Sequence, residues 1–200
     1  EEMFSVSSAL ETLNISSTLT ESRVTTAASA AADSASGEDT LLTIPALLPQ
    51  SMENKVPDAT APDAVNVRLQ FDEQNATGFA YDAESATYKM LHADGTPQLD
   101  ANTGAQAQFD NLLVLYSASS LRDDGTTLDY DLSLGGGVWL NGSQLWHITW
   151  TQGTDSTFAF YDADGRPLTI RTGRSYIALV SSVTGQELTV LDSAGQNVLN

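Results

Sequence analysis

The chain has 200 residues, 41% hydrophobic and 17% charged, with no cysteine. It can bury a core without disulfide staples, and thiolate catalysis and cysteine-held metal centres are excluded. Acidic side chains number 26 against 8 basic ones, a formal charge of −18, which repels phosphate backbones and anionic headgroups and argues against nucleic acid as a partner.

No apolar run approaches the roughly 20 residues that cross a bilayer, and no basic, apolar leader is present. The sequence starts at Glu1 and reads as a processed or truncated piece, so any export signal or lipid anchor would lie outside it. From Ser5 to Glu21, Val6, Leu10 and Leu13 recur at helical spacing. With Ser5 or Ser7 as N-cap, they predict one short helix. Thr25 to Asp39 is rich in Thr, Ala and Ser and offers too little apolar area to order itself, which predicts a loop. Leu41 to Pro49 is apolar but carries Pro45 and Pro49, which bar a central strand and predict an extended cover. Pro57 to Asp63 has linker composition. Residues 1–64 thus read as a helix and linker left from a preceding domain.

At Ala64 the period becomes two. Val65, Val67, Leu69 and Phe71 alternate with Asn66, Arg68, Gln70 and Asp72, a strand with one face on a core. Phe79 and Tyr81, then Tyr88, Met90 and His92, predict two more strands joined near Glu84-Ser85. Leu112 to Tyr116 is a short continuous apolar run, the mark of a strand buried on both faces. Leu128 to Leu134 alternates again, Gly135-Gly136-Gly137 turns or bulges the chain into Val138-Trp139-Leu140, and Asn141-Gly142 signals a tight hairpin into Leu145 to Trp150. Phe158 and Phe160, Leu168 and Ile170, then Tyr176, Ala178 and Val180 complete the pattern. Turn signals roughly every 8–12 residues predict an all-β sandwich or barrel-like antiparallel domain of about nine to eleven strands over residues 65–181. Residues 182–200, with Leu188-Thr189-Val190, read as an added hairpin or tail.

Chemistry is thinly represented. Asp162-Ala163-Asp164-Gly165 opens like a calcium loop, but Arg166-Pro167 follows where further oxygen ligands are needed. A β-turn is the simpler reading, and no metal site is assigned. His92 and His147 stand in different strands without a partner at ligand spacing. There is no Gly-x-Ser-x-Gly, and Gly135 to Gly137 lacks the Lys of a phosphate loop. Asp72, Glu73, Asp82 and Glu84 flank one hairpin and read as solvated loop charge. His92 with Asp94 and Asp100 is the one candidate set for acid–base chemistry. Trp139, Trp146 and Trp150 with Tyr130 suggest rings lining a glycan or peptide groove, against the simpler reading that large aromatics fill the core. No cofactor is implied.

The order of landmarks carries more than any one of them. Tyr81-Asp82, Thr87-Tyr88-Lys89, Asp100, Thr103-Gly104, Gln106 and Asn111-Leu112-Leu113-Val114 are followed by Gly135-Gly136-Gly137, Ile148-Thr149-Trp150, Asp164-Gly165, and Gly173 before Tyr176-Ile177. This series resembles the C-terminal domain of YerB-like bacterial lipoproteins over residues 65–181. Lys89 stands where the family usually has Arg, and Thr151-Gln152 replaces its usual Ser-Lys pair. The resemblance implies a two-part, extracytoplasmic protein held to the membrane through a lipid anchor outside this chain, with no established catalytic residues to carry over. The expected function is a non-enzymatic binding or scaffolding module whose partner is an envelope protein or wall glycan. The alternatives are an envelope hydrolase using His92, Asp94 and Asp100, and a glycan or peptide groove lined by Trp139, Trp146 and Trp150. A hydrolase requires those acidic groups to converge and one carboxyl to be desolvated.

Overall fold

Alternation along the chain determines which side chains can share a core. Val67 and Leu69 are buried while Asn66 and Arg68 are exposed, and repetition of that pattern generates the strands. The structure, a computed structural model, describes residues 47–52, 60–181 and 185–199, all within the unit Ala46–Asn200. The helix expected at Ser5–Glu21, the loop at Thr25–Asp39 and the start of the apolar cover at Leu41 lie outside the described residues. In chain order the strands are β1 (Gln50–Ser51), β2 (Asn66–Gln70), β3 (Ala76–Asp82), β4 (Thr87–His92), β5 (Gln108–Phe109), β6 (Asn111–Ser117), β7 (Ser119–Leu121) and β8 (Leu128–Tyr130). They continue with β9 (Leu134–Asn141), β10 (Gln144–Gln152), β11 (Phe158–Tyr161), β12 (Pro167–Leu168), β13 (Ile170–Arg171), β14 (Ser175–Ser181) and β15 (Glu187–Leu191). The span read as nine to eleven strands holds more segments, because several are only two or three residues long and carry too little pattern to be read.

Two sheets face each other. One has six strands in the order β12-β11-β10-β9-β6-β14, the other five in the order β15-β2-β3-β4-β5. Val67, Leu69, Phe79, Tyr88, Leu188 and Val190 from the five-stranded sheet meet Leu112, Val114, Val138, Leu140, Ala178 and Val180 from the six-stranded one. Each fully buried aliphatic contributes about 1.5–3 kcal/mol relative to exposure. The fold is thus an all-β sandwich. Phe79, Phe109 and Tyr176 lock its interior edge-to-face, with centroids 4.8–6.2 Å apart.

The six-stranded sheet is buried on its other face as well, through Leu113, Leu115, Trp139, Ile148, Trp150 and Phe160. This accounts for the unbroken apolar run in β6. β14 pairs with β6 in parallel, Tyr176 opposite Leu112 and Val180 opposite Tyr116. A parallel pair needs a long crossover, which residues 118–174 supply as strands rather than as a helix. The pair is pinned by Asn111, which is fully buried. Its Nδ2 donates to Arg171 O at 2.7 Å and Ser175 Oγ at 3.2 Å, and its Oδ1 accepts from Trp139 Nε1 at 3.1 Å and Asn141 Nδ2 at 3.2 Å.

Three sequence expectations differ from the structure. The tight hairpin between β9 and β10 exists, but Gln144 pairs with Asn141, so the loop residues are Gly142 and Ser143 at φ 56° and 61°. Asn141 stays in the ladder because its amide is drawn inward, donating to Asp110 O at 2.8 Å and to Asn111. The added hairpin at the C-terminal end is integral instead. β15 completes the five-stranded sheet beside β2 and puts Leu188 and Val190 into the core.

The glycine run does not turn the chain. It lies within β9, where Gly135 pairs with Trp150 and Gly137 with Ile148. A Cβ on Gly135 would stand 2.1 Å from Tyr116 O and 2.7 Å from Trp150 Cζ2, and one on Gly137 would stand 2.4 Å from Val114 O. Only bare backbone lets the indole lie across β9 and donate from Nε1 to Gly136 O at 2.9 Å.

Candidate functional site

Several of the aspartates form one recurrent device. In each of many turns, an aspartate closes the loop by accepting hydrogen bonds from backbone and hydroxyl groups two or three residues on. Asp94 Oδ1 accepts from Thr96 N at 2.9 Å and Thr96 Oγ1 at 2.7 Å. Asp100 Oδ1 accepts from Thr103 Oγ1 and Thr103 N, both at 2.8 Å, and from Asn102 N at 3.1 Å. Asp124 holds Thr126 and Thr127 in the same way, and Asp155 holds Thr157. In Asp162-Ala163-Asp164-Gly165, Asp162 Oδ1 accepts from Asp164 N and Arg166 N, and Asp164 pairs with Arg166. The segment is a β-turn with its carboxylate turned inward on its own backbone. Among the described residues no group of three or more His, Asp or Glu could hold a metal ion.

These bonds favour the charged form. The Thr96 hydroxyl and amide hold Asp94 below the usual carboxylate range, with a smaller contribution from His92. The Thr103 hydroxyl and amide do the same for Asp100. The Ser85 hydroxyl, then Lys89 at 2.9 Å, lower Asp82 to about 2, and Thr127 lowers Asp124 to about 2. Depressed folded-state values mean that these groups stabilise the fold above the ~3.9 of an unfolded aspartate. That contribution is lost as pH falls through the folded values, toward about 2 for Asp82 and Asp124. An acid titration followed by circular dichroism is expected to lose signal in that window, and Asp124→Asn is expected to flatten the slope there.

His92, Asp94 and Asp100 are all exposed. His92 ends β4 and shares a turn with Asp94, the amide of His92 donating to Thr96 O at 2.8 Å. Asp100 belongs to a separate excursion, closed where Leu99 bridges Gln106. Both carboxyls are shifted downward, away from the raised value that a general acid needs near neutrality. His147 is also exposed, opposite Val138 in the β9–β10 ladder.

The tryptophans sit on the buried outer face of the six-stranded sheet. Trp139 and Trp150 are each 1% exposed. Trp146 is half-buried and stacks on Trp139 with centroids 4.8 Å apart and planes at 30°. Trp150 meets Phe158 edge-to-face at 5.7 Å, and Phe158 lies parallel to Phe160. Of the three rings proposed for a groove, two are enclosed and Trp146 alone has an accessible portion. From sequence Asn111 enters only as a landmark of the resemblance, with no role assigned, and the outer edge of β14 does not enter at all. An asparagine directly ahead of an apolar run hinted at the first, while the second depends on strand order.

A family model and a solved structure place the chain among known proteins. A family model described as the C-terminal domain of a protein of unknown function, DUF3048, matches residues 67–177, more than half of the sequence. The crystal structure of the YerB protein from Bacillus subtilis is similar in fold, with a TM-score of 0.55 and 20% identity, covering 64% of this chain and 44% of that one. The chain therefore spans less than half the length of that structure. No curated protein matches. With the family model running from β2 into β14, the chain belongs to the DUF3048 family through the C-terminal domain of that family.

Proposed function

We propose that this domain is a non-enzymatic binding or scaffolding module of a cell-envelope lipoprotein, working outside the cytoplasmic membrane against an envelope protein or wall glycan. The observation that carries this reading is where the polar chemistry goes. Asp94 and Asp100 are bound into their own turns, His92 and Asp94 stay in open solvent, and two of the three tryptophans lie in the core. Catalysis by acid and base requires a desolvated, convergent pair, and the downward shifts of Asp94 and Asp100 run the other way. The envelope setting comes from the resemblance of the ordered motifs to YerB-like lipoproteins.

The test has two arms. Purified domain incubated with wall polymer is expected to release no soluble fragments, and Asp94→Asn and Asp100→Asn are expected to behave as the parent does. Release by the parent that disappears in either variant sinks the reading in favour of a hydrolase. For location, protease added to wall-stripped intact cells is expected to digest the full-length protein, and protection there contradicts the envelope assignment.

A further inference from the structure

The two sheets have four outer edges, and three of them are blunted. β12 is two residues long and begins with Pro167, and β5 is also two residues long. β15 carries Glu187 and is partly backed by the returning chain, where Val198 N donates to Val190 O at 2.9 Å and Leu191 bridges Asn197. Short strands, proline, charge and a covering segment are the standard protections of a sheet edge. Among the described residues β14 has none of them along its length. It is seven residues, Ser-Tyr-Ile-Ala-Leu-Val-Ser, without charge, proline or glycine, and it lies at the end of the six-stranded sheet.

Register shows which of its backbone groups face outward. Asn111 N donates to Arg174 O at 3.1 Å, so the alternate residues Tyr176, Ala178 and Val180 direct their N–H and C=O toward β6. Ser181, of opposite parity, donates its N–H to Gln186 Oε1 at 2.6 Å, on the side away from β6. Ile177 and Leu179 share that parity, and among the described residues no strand pairs with their side of β14. Among the described residues, the outward N–H and C=O groups of Ser175, Ile177 and Leu179 thus form an open ladder that ends at the Gln186 cap.

We propose that the β14 edge receives an extended, cationic segment of a partner protein as an added strand, with main-chain bonds to Ile177 and Leu179. This rests on the binding-module reading and names the class of its partner. Strand addition draws affinity from backbone bonds and selectivity from the alternating side chains. The formal charge of −18 selects the occupant. A second copy would bring an equal negative charge to the same edge, whereas a lysine- or arginine-bearing strand is drawn to it.

The probe is a short synthetic peptide alternating lysine with valine, added to the isotope-labelled chain and followed by amide NMR. The Ile177 and Leu179 amide resonances are expected to move. Binding is expected to weaken about tenfold in high salt and about tenfold when the peptide's ladder-facing amides are N-methylated. Leu179→Pro removes an outward N–H and no bond to β6, and is expected to abolish the shifts. N-methylation tests the same bonds on the unaltered chain should that variant not fold. Equal binding by the N-methylated peptide, or by its glutamate counterpart, overturns the proposal. Doubling of mass with protein concentration, moving the same two resonances, overturns it in favour of self-association. Shifts confined to the outer face of the five-stranded sheet, around Arg68 and Lys89, overturn the edge assignment while leaving the module reading in place. Wall-fragment release in the assay above overturns both.

Discussion

Gly135→Ala is expected to cost the domain about 3 kcal/mol in urea unfolding, the upper end of what overpacking exacts. The added methyl would fall 2.1 Å from Tyr116 O, on backbone that β6 cannot move without opening its ladder to β9, and 2.7 Å from the Trp150 ring. Trp150→Ala is expected to cost about 3–5 kcal/mol by leaving a large cavity. A double-mutant cycle separates the two clashes. In the Trp150→Ala background the ring is gone while Tyr116 O remains, so Gly135→Ala should cost about 1 kcal/mol less than in the parent. Strict additivity would show that the indole does not lie over the glycine.

The second large effect is at Asn111, where four hydrogen bonds converge in a fully buried position. Asn111→Ala is expected to lose about 3–4 kcal/mol, at about 1 kcal/mol net for each buried bond. Asn111→Asp is more diagnostic because it keeps the acceptor for Trp139 and Asn141 while removing the donor to Arg171 O. Burial would raise the new carboxyl above its unfolded value, so this variant should lose stability as pH rises above the ~3.9 of an unfolded aspartate. That is the reverse of the parent's loss in acid. Urea titrations of parent and variant between mildly acidic and neutral pH check the sign. Parallel slopes would mean that water reaches the site.

Much of the sandwich was legible because its strands alternate or run apolar in short bursts. Val67 and Leu69, Phe79, and the Leu112 to Leu115 run all lie where their spacing put them. What could not be read was pairing. Nothing local distinguishes β14 as a parallel neighbour of β6, or β15 as a partner of β2, because those choices depend on side chains more than fifty residues away. The glycine run misled for a related reason: a turn and a close approach both require glycine, and Trp150 decides between them from the next strand. At the candidate site, residue type was legible and geometry was not. His92, Asp94 and Asp100 offered the right groups for acid–base work, but short-range bonds from Thr96 and Thr103 hold the two carboxyls in their charged form.

The pairing of β2 with β15 and of β6 with β14 joins the early part of the domain to its last strands. During synthesis the six-stranded sheet cannot be completed until Ser181 has left the ribosome, nor the five-stranded one until Leu191 has, and contacts of such long sequence separation form slowly. The apolar strand Leu112 to Leu115 is therefore made well before its parallel partner β14, an interval in which the dense negative charge keeps neighbouring chains apart.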